Sequence, residues 1–442
     1  MIRWLVVLLQ NYFPSPFIFA ILLTAIAIVG AVVTTGLGVA SILGKWGESL
    51  FLLLKFSMQM LLLLATGIAL AQSNGVKQFF NTLASRVKTP KMAVWTITFI
   101  SLICCWLSWG FGLVVGAVLS KVLARQVKGV DYPLLVASAY SGFLIWHGGL
   151  SGSIPLKIAT NDGDLGKLSG GVITTPIPLS HTLFTPLNLS MVGLLLAGLP
   201  LINMLLHPKN PTTIDSSVLK EDPSPTSSLD CFANRLDNSQ ILGSFLGFLG
   251  IIYLAITFIY KGFTLNLNTL ILIFLFLGLL AHRSPQKYFK TMEQDLKSTT
   301  GIVLLFPLYA GIIGVMGLKN ADGISFATTL ANLFSHIASK DNFALLSYLS
   351  AGVLNIFIPS GGGQFAVQGP VLIPSGVALG VNPAVTSMAI AWGDAWTNMI
   401  QPFFALPLLG IVGLDARSII GYLLVGFAYA GAVSMGCLYF LA

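Results

Sequence analysis

The sequence predicts an all-α, polytopic membrane protein with two repeats of inverted topology, each containing a glycine-tipped helical hairpin and a broken transmembrane helix. Three observations support this fold class. The chain of 442 residues is 55% hydrophobic and only 9% charged. Apolar runs long enough to cross a bilayer recur along it. Two glycine-rich segments lie about half a chain apart. Each is followed by a proline and then by an apolar run that small and polar residues interrupt.

The composition excludes an ordinary soluble protein, in which about a quarter of the residues are charged. A membrane β-barrel would need short alternating strands, and the sequence contains none. The net charge of +8 comes from basic residues beside apolar spans, where orientation in the membrane explains them, so we expect no nucleic-acid partner. The four cysteines have neither disulfide nor metal-site spacing, and no cofactor is predicted.

The apolar runs define candidate spans in two halves. They fall near 16–36, 50–71, 92–108, 110–126, 131–157 and 182–206, and then near 241–260, 266–282, 298–318, 343–358, 360–380, 384–410 and 418–441. The polar, proline-containing stretch between them predicts a linker. The predicted organisation is an N-terminal repeat over 1–206 with a surface-lying amphipathic start, a linker over 207–240, a connecting transmembrane helix over 241–262 and a C-terminal repeat over 263–442.

Loop charges indicate that the two repeats are inverted. The loop after the second span carries Lys77, Arg86, Lys88 and Lys91 without an acid, whereas its counterpart over 319–341 has two lysines and two aspartates. Because positively charged loops face the cytoplasm, equivalent loops are expected on opposite sides of the membrane. The same rule predicts a cytoplasmic amino terminus.

The two glycine-rich segments are Ser108–Gly112 and Ser360–Gly363. About twenty residues after each, a proline opens a long apolar segment that small and polar residues interrupt: His147-Gly148-Gly149 in the first half, Gly393-Asp394 and Thr397-Asn398 in the second. Matched interruptions in two halves of a membrane protein indicate a transporter's binding site, because unwound backbone at membrane depth must be buried or line a cavity. The chain is therefore predicted to be a carrier.

The glycines themselves suggest how an anion is held. Without Cβ atoms, the backbone N–H groups of Gly361, Gly362 and Gly363 can approach a ligand closely. Helix N-termini directed at the same place would favour a carboxylate without any arginine. Such glycines are also common in tight turns and close helix contacts, so that alternative stays open.

Asp394 is the acid that lies deepest in an apolar span, and an ionisable group at that depth is a functional hypothesis by default. It could carry a coupling proton, or ligate Na⁺ together with Asn398 and free carbonyls; alternatively it is a structural acid that bonds free N–H groups. His147 occupies the mirrored position. It could donate to a carboxylate ligand or relay a proton, or it could cap unwound backbone.

These arguments define one predicted site at the meeting of both hairpins and both broken spans. Asp394 is the predicted ion-coupling residue, and no catalytic residue is predicted. Tryptophans near the four elements, Trp109 and Trp396 among them, could wall a pocket for an alkyl tail. The predicted substrate-binding residues are Ser108, Trp109, Gly110, Gly112, His147, Gly148, Gly149, Ser151, Ser360, Gly361, Gly362, Gly363, Gln364, Trp396, Thr397, Asn398 and Gln401.

Five sequence segments resemble the short-chain fatty acid transporter family of bacterial inner membranes. They are Trp109–Ala117, Asp131–Leu135, Gly148–Leu156, Pro359–Gly363 with Gln368–Pro370, and Asn398–Phe403. The resemblance implies uptake of a small monocarboxylate such as acetoacetate or butyrate, coupled to H⁺ or Na⁺. It also implies membership of the wider ion transporter superfamily and an elevator-like homodimer. The linker departs from the family pattern, and His147 stands where a further glycine would fit.

Three alternatives stay open at this stage. The first is a carrier of another organic anion, a dicarboxylate or hydroxy acid. The second is a membrane enzyme acting on lipid, although the sequence contains no metal-spaced cluster and no nucleophile–base pattern. The third is a passive channel, which would equilibrate its substrate but never concentrate it.

Overall fold

In a computed structural model, residues 14–160, 165–214, 232–262, 266–296, 300–335 and 337–442 are described. Every regular element in these ranges is helical. The first half contains α1 Pro16–Thr35, α2 Val39–Ser49, α3 Leu54–Ala71, α4 Asn74–Ser85, α5 Pro90–Leu107, α6 Trp109–Gln126, α7 Tyr132–Ser141, a 3₁₀ segment Gly142–Gly148, α8 Ser153–Ile158, α9 Leu165–Leu168, a 3₁₀ turn Leu179–His181 and α10 Pro186–Leu205.

The second half also alternates long and short helices. It contains α11 Phe232–Asp237, α12 Gln240–Lys261, α13 Leu267–His282, α14 Pro285–Leu296, α15 Thr300–Met316, α16 Phe326–Ser335, α17 Phe343–Phe357, α18 Gly361–Ala378, α19 Pro383–Thr397, α20 Ala405–Val412 and α21 Ala416–Leu441. Six helical stretches among the described residues are long and apolar enough to cross a membrane. The predicted all-helical membrane protein is confirmed.

Four helices begin with the same local pattern, a capping side chain followed by a proline. Thr89, Asp131, Thr185 and Asn382 each accept a hydrogen bond from a backbone N–H in the first turn of the helix that follows. In all four helices a proline occupies one of the first two positions, where its missing N–H costs nothing. Capping residue and proline together fix where α5, α7, α10 and α19 begin.

Both predicted hairpins are present. Ser108 alone separates α5 from α6, with an extended backbone (φ −158°). The two helices pack so closely that a Cβ on Gly112 would lie 2.6 Å from the backbone nitrogen of Cys105. In the second hairpin Ser360 is equally extended (φ −159°), and its hydroxyl accepts from the N–H of Gly363 at 3.4 Å. The glycines lie in the first turn of the second helix, just beyond each tip.

Both predicted breaks are also present. The first long segment runs from α7 through the 3₁₀ segment into a turn over 149–152, and a helix resumes at Ser153. The second stops at Thr397 and resumes at Ala405. The far end of α20 is closed by Lys121, whose Nζ donates to the carbonyl of Ile411 at 3.1 Å, a favourable place for a cation.

Long helices of the two halves pack against one another. Helix α1 contacts α15, and α3 contacts α13; α10 contacts both α5 and α21. The broken α19 packs on α17, on α18 and on the 3₁₀ segment of the other half. The inverted relation of the repeats and the domain boundaries of 206, 240 and 262 stay predictions.

Four helices of ten or more residues were not anticipated from the sequence. Helix α2 precedes the second span, α4 and α14 are short and amphipathic, and α16 lies within 319–341, which was expected to be a loop. A search for continuous apolar runs passes over helices of this kind, because only one face of them is apolar. The short helices α9 and α11 were also not anticipated, and α11 lies within the predicted linker. The predicted surface segment at the amino terminus and residues 215–231 of the linker lie outside the described residues.

Candidate functional site

The two broken helices meet through a pair of ionisable side chains. Nε2 of His147, near the end of the 3₁₀ segment, lies 3.1 Å from Oδ1 of Asp394, in the last turn of α19. Both side chains are completely buried, with 0% relative exposure. Because burying a polar or charged group in an apolar interior is costly unless it has a partner, the contact gives one atom of each side chain the partner it needs.

A network of amides holds the end of α19 behind Asp394. Nδ2 of Asn355, on α17, lies 2.9 Å from the carbonyl oxygen of Asp394, 3.0 Å from Oγ1 of Thr397 and 2.9 Å from Oδ1 of Asn398. The hydroxyl of Tyr140 donates to the carbonyl of Asn398 at 2.9 Å. A helix that ends inside the protein leaves carbonyls without intrahelical partners, and these contacts supply partners.

Helix α18 begins directly against the histidine. A Cβ added to Gly361 would lie 2.5 Å from Nε2 of His147 and would also overlap Oγ of Ser153. Only glycine therefore permits this approach. The N-terminus of an 18-residue helix carries unpaired N–H groups and a partial positive charge, which suit an anion. The next residue, Gly362, is exposed, and nothing lies within 4 Å of where its Cβ would be.

The first hairpin holds the unwound backbone that follows His147. The N–H of Trp109 donates to Oγ of Ser151 at 2.9 Å, and the N–H of Leu150 donates to the carbonyl of Trp106 at 2.7 Å. A Cβ on Gly149 would lie 2.7 Å from Cα of Trp106. Since Gly361 adjoins Ser153, the two hairpins flank the turn over 149–152 and the start of α8.

An aromatic cluster covers one side of the histidine. The rings of Trp146 and His147 have centroids 3.7 Å apart, and Phe143 stacks on Trp146 at 5.2 Å. Trp109 contacts Trp146 edge-on at 6.0 Å, and Phe404 approaches Trp109 at 5.6 Å. Apolar surface therefore adjoins the ion pair, as an alkyl-bearing carboxylate would require.

Several polar atoms at the site have no hydrogen-bond partner among the described residues. They are Oδ2 of Asp394, Nδ1 of His147, Oγ of Ser153, Nδ2 of Asn398 and Nε2 of Gln401. Leaving a buried donor or acceptor unsatisfied costs about 1–3 kcal/mol, so native proteins rarely do it. A concentration of such atoms around one buried pair suggests a place for a polar ligand.

Some of the predicted binding residues have their own packing partners. A Cβ on Gly110 would meet Cδ2 of Leu63 at 2.8 Å, and Gly112 faces Cys105 within the hairpin, so both glycines serve close helix contacts. The indole of Trp396 stacks on Phe427, with centroids 4.3 Å apart, and donates to its carbonyl at 2.8 Å. These three residues contact neighbouring helices rather than His147.

The predicted glutamines are partly engaged by their own neighbourhoods. Nε2 of Gln364 donates to the carbonyl of Ala351 at 2.8 Å and to Oε1 of Gln368 at 3.0 Å. Oε1 of Gln401 accepts from the N–H of Phe403 at 2.7 Å. Gln364 therefore joins α18 to α17, while Gln401 orders the backbone between α19 and α20.

Two asparagines that matter at the site were missed by sequence reasoning. Asn188, on α10, donates to the carbonyl of Gly148 at 3.0 Å and accepts from Nε1 of Trp392 at 2.9 Å. Asn355 organises the end of α19 as described above. Both are fully buried amides inside apolar helices. An amide in an apolar span was the available signal, since polar groups at membrane depth need partners.

Among the described residues, no group of three or more His, Cys, Asp or Glu side chains lies close enough together to hold a metal ion. The ion pair and the adjoining helix N-terminus thus provide hydrogen bonds and charge without a cluster of metal-type ligands. This arrangement can bind an anion and exchange a proton.

Comparison with known proteins gives a match over almost the entire chain. The family model described as short chain fatty acid transporter matches residues 1–441. A protein of Escherichia coli K12 named "Putative short-chain fatty acid transporter" is 39% identical over 436 residues, covering 98% of this chain and 97% of the relative. A protein of the same name from Haemophilus influenzae is 39% identical over 446 residues, covering 99% of both chains.

One solved structure also overlaps the chain. The YdaH transporter of Alcanivorax borkumensis aligns over 96% of this chain and 98% of its own, with 16% identity and a TM-score of 0.43. A TM-score of 0.43 marks only a weak structural similarity between the two proteins.

Proposed function

The chain belongs to the short-chain fatty acid transporter family, and on that premise we propose that it takes up small monocarboxylates, such as acetoacetate or butyrate, by secondary active transport coupled to H⁺ or Na⁺. As a multi-pass helical membrane protein it would do so in the cytoplasmic membrane of a bacterium. The observation that carries the proposal is the buried His147–Asp394 pair at the N-terminus of α18.

The burial of the pair supports a carrier rather than a channel. Neither side chain has exposed surface, so in this conformation the pair is closed to both sides of the membrane. A carrier must pass through such a closed state, because its site opens to the two sides alternately. A passive pore has no need of one.

The charges around the pair support a singly charged substrate. The 3₁₀ segment, α18 and α19 contain no lysine or arginine, so His147 is the one side chain of these three elements that can carry a positive charge. A helix N-terminus adds only a partial positive charge. A dicarboxylate would need a second cationic partner for its second carboxylate, and the aromatic cluster beside His147 suits an alkyl tail instead.

A hydrolytic function is not favoured by the geometry, although Ser153, His147 and Asp394 lie close together. In a Ser–His–Asp triad the serine hydroxyl bonds one imidazole nitrogen and the aspartate bonds the other. Here Oγ of Ser153 and Nδ1 of His147 are both without a hydrogen-bond partner among the described residues. Family membership points to a transporter, and the site lacks the relay that activates a serine.

The test is uptake by the purified full-length protein in liposomes. Labelled acetoacetate and butyrate are offered with an imposed H⁺ gradient or an imposed Na⁺ gradient, and protein-free liposomes supply the background. We expect one gradient to drive accumulation above the external concentration. Equilibration without accumulation would indicate a channel, and competition by succinate or gluconate but not by butyrate would indicate the other class of organic anion.

Asp394→Asn should abolish the gradient-driven accumulation. The matched control is Asp415→Asn, since Asp415 is an exposed helix cap whose role an asparagine can also fill. Undiminished accumulation by Asp394→Asn would remove this residue from the coupling mechanism.

A homodimer is part of the same proposal. Helix α12 leaves large apolar side chains exposed, among them Ile241 at 81% and Ile259 at 79%. In a membrane protein such a face meets lipid or another subunit. Light scattering of the detergent-solubilised protein would give the oligomeric state.

A further inference from the structure

We infer that the substrate's carboxylate competes with the carboxylate of Asp394 for His147 and for the N-terminus of α18, so that every monocarboxylate crosses the membrane together with one proton. The inference rests on the proposed function and decides between the two coupling ions that it leaves open.

The competition follows from how closely three groups approach one nitrogen. Oδ1 of Asp394 lies 3.1 Å from Nε2 of His147, and a Cβ on Gly361 would lie 2.5 Å from the same nitrogen. A carboxylate that accepts from the first N–H groups of α18 would therefore lie within reach of that imidazole nitrogen. An imidazole N–H carries a single proton for donation, so two carboxylates cannot both take it.

The buried atoms without hydrogen-bond partners indicate where the protonated side chain of Asp394 and the carboxylate of the substrate can each form hydrogen bonds. Oδ2 of Asp394 and Nδ1 of His147 are fully buried and have no partner among the described residues, and Oγ of Ser153 adjoins the start of α18. Protonated Asp394 is a neutral acid, which needs no cation. The substrate's two oxygens then have His147, Ser153 and the N-terminus of α18 as donors.

Charge balance requires the proton. Whatever number of protons the empty pair holds, a bound monocarboxylate adds one negative charge to a site closed to water. Helices α17, α18 and α19 contain no lysine or arginine to neutralise it. An uncompensated buried charge is strongly unfavourable. One proton added to the carboxylate of Asp394 restores the balance.

The cycle then involves one proton transfer and no other chemical step. Outside, the carboxylate of Asp394 takes a proton from water, and the substrate's carboxylate accepts the hydrogen bond from His147. Inside, the substrate leaves, Asp394 releases its proton to water and resumes its bond to His147. The net process moves one H⁺ and one monocarboxylate, and it moves no net charge.

Few other titratable groups are available on the helices that pack around the pair. Helices α10 and α18 have none, and Lys91 lies near the opposite end of α5, about 22 Å along the helix from Trp106. Lys157, one turn beyond Ser153, is half-buried and already engaged in another contact. Helix α6, which also packs against the 3₁₀ segment, carries Lys121, whose Nζ donates to the carbonyl of Ile411, and Arg125 one turn further on. The remaining ones on α5, α7, α17 and α21 are Cys104, Cys105, Tyr132, Tyr140, Tyr348, Arg417, Tyr422, Tyr429, Cys437 and Tyr439.

A sodium ion does not fit this exchange. Na⁺ would need several oxygen ligands at once, and Oδ1 of Asp394 is already occupied by an imidazole nitrogen. An imidazole N–H that donates to Oδ1 also directs its partial positive charge at the place where the cation would bind. Transport should therefore proceed at full rate without Na⁺.

The decisive experiment measures stoichiometry in liposomes containing the wild-type protein. Acetoacetate is the better probe, since as a stronger acid than butyrate it leaks less through the bilayer in its neutral form. Labelled uptake and internal pH are followed together in Na⁺-free choline medium, with the membrane potential clamped by K⁺ and valinomycin. Protein-free liposomes give the leak, which is subtracted because diffusion of the neutral acid also moves one proton per anion.

The expected result is one proton per acetoacetate, about tenfold accumulation for each imposed pH unit and no change of rate with membrane potential. A requirement for Na⁺, uptake that responds to the potential, or uptake without proton movement would overturn the inference and leave the proposed function standing. Failure of the wild-type protein to carry any monocarboxylate under either gradient would instead remove the proposed function.

Asp394→Asn separates coupling from binding. Because asparagine resembles the protonated acid, this variant should exchange external labelled acetoacetate for internal unlabelled acetoacetate at a rate independent of pH, while accumulation driven by a pH gradient falls to the leak. The exposed cap variant Asp415→Asn should behave as wild type. Accumulation by Asp394→Asn would contradict the inference; if that variant does not fold, the wild-type stoichiometry decides alone.

Discussion

Asn188, on α10, accepts a hydrogen bond at 2.9 Å from the indole of Trp392, on α19, although 204 residues separate them in sequence. The same side chain donates to the carbonyl of Gly148, in the opposite broken helix, at 3.0 Å. It also donates to the carbonyl of Leu183 at 2.8 Å. One amide thus ties a continuous helix to both broken ones, next to the ion pair.

Replacing Asn188 should therefore destabilise the protein more than replacing Trp392. Asn188→Ala removes three hydrogen bonds, and Trp392→Phe removes one. A buried group left without its partner costs about 1–3 kcal/mol. Asn188→Ala leaves the Trp392 indole and two carbonyls unpaired, whereas Trp392→Phe leaves one amide oxygen unpaired, so we expect the larger loss from Asn188→Ala. Thermal unfolding of the two variants in detergent measures the difference. Equal decreases of Tm for Asn188→Ala and Trp392→Phe would show that the Asn188 amide does not stabilise the contact of α10 with both broken helices.

Gly361→Ala should strongly reduce uptake of the substrate. The added methyl group would overlap Nε2 of His147 and Oγ of Ser153, so the start of α18 must move away from the pair. We expect the rate of acetoacetate uptake in liposomes to fall at least about tenfold, the equivalent of about 1.4 kcal/mol in binding or barrier.

Two further alanine variants calibrate that loss. Gly193→Ala, on α10, adds a methyl group with nothing within 4 Å and should transport as wild type. Gly362→Ala also meets nothing within 4 Å, so its effect should be smaller than that of Gly361→Ala. A larger loss from Gly362→Ala would place the anion on the exposed side of the hairpin instead.

Gly112→Ala should damage the fold, whereas Gly110→Ala should be milder. The new Cβ at Gly112 would lie 2.6 Å from a backbone atom of Cys105, and backbone cannot yield easily. At Gly110 it would meet the end of the Leu63 side chain, which can move. Overpacking costs about 1–3 kcal/mol, so Tm should fall clearly for Gly112→Ala alone. Normal Tm with lost transport in both variants would support the predicted role in substrate binding.

The inverted repeat predicts that equivalent loops are labelled from opposite sides. Lys88 follows α4, and Ser339 follows α16 in the other half. In a background with all four cysteines replaced, Lys88→Cys should react with a membrane-impermeant maleimide only after the cells are opened, and Ser339→Cys should react in intact cells from which any outer membrane barrier has been removed. Labelling of both from one side would rule out inversion.

Sequence patterns located the hairpins and breaks because those features have local signals. The cap-and-proline starts of α5, α7, α10 and α19 and the glycines after Ser108 and Ser360 are readable one segment at a time. The depth of Asp394 in its span was equally visible, and it pointed to the residue that the structure pairs with His147.

Partnerships across the chain could not be predicted in the same way. Nothing local indicates that Asn355 serves the end of α19, or that Trp396 turns toward Phe427 instead of toward His147. Glycine patterns also do not distinguish close contact with a ligand from close contact with a helix, which is why Gly110 and Gly112 were included among the predicted binding residues. These outcomes depend on tertiary packing, which reaches over hundreds of residues.

The 3₁₀ segment Gly142–Gly148 is longer than an α-helix of the same seven residues would be. A 3₁₀ helix rises about 2.0 Å per residue and an α-helix about 1.5 Å. If the segment became α-helical, His147, its sixth residue, would move about 3 Å closer to α7, and its imidazole would turn about the helix axis. A local change of winding would therefore be enough to separate Nε2 of His147 from Asp394, with no displacement of α19.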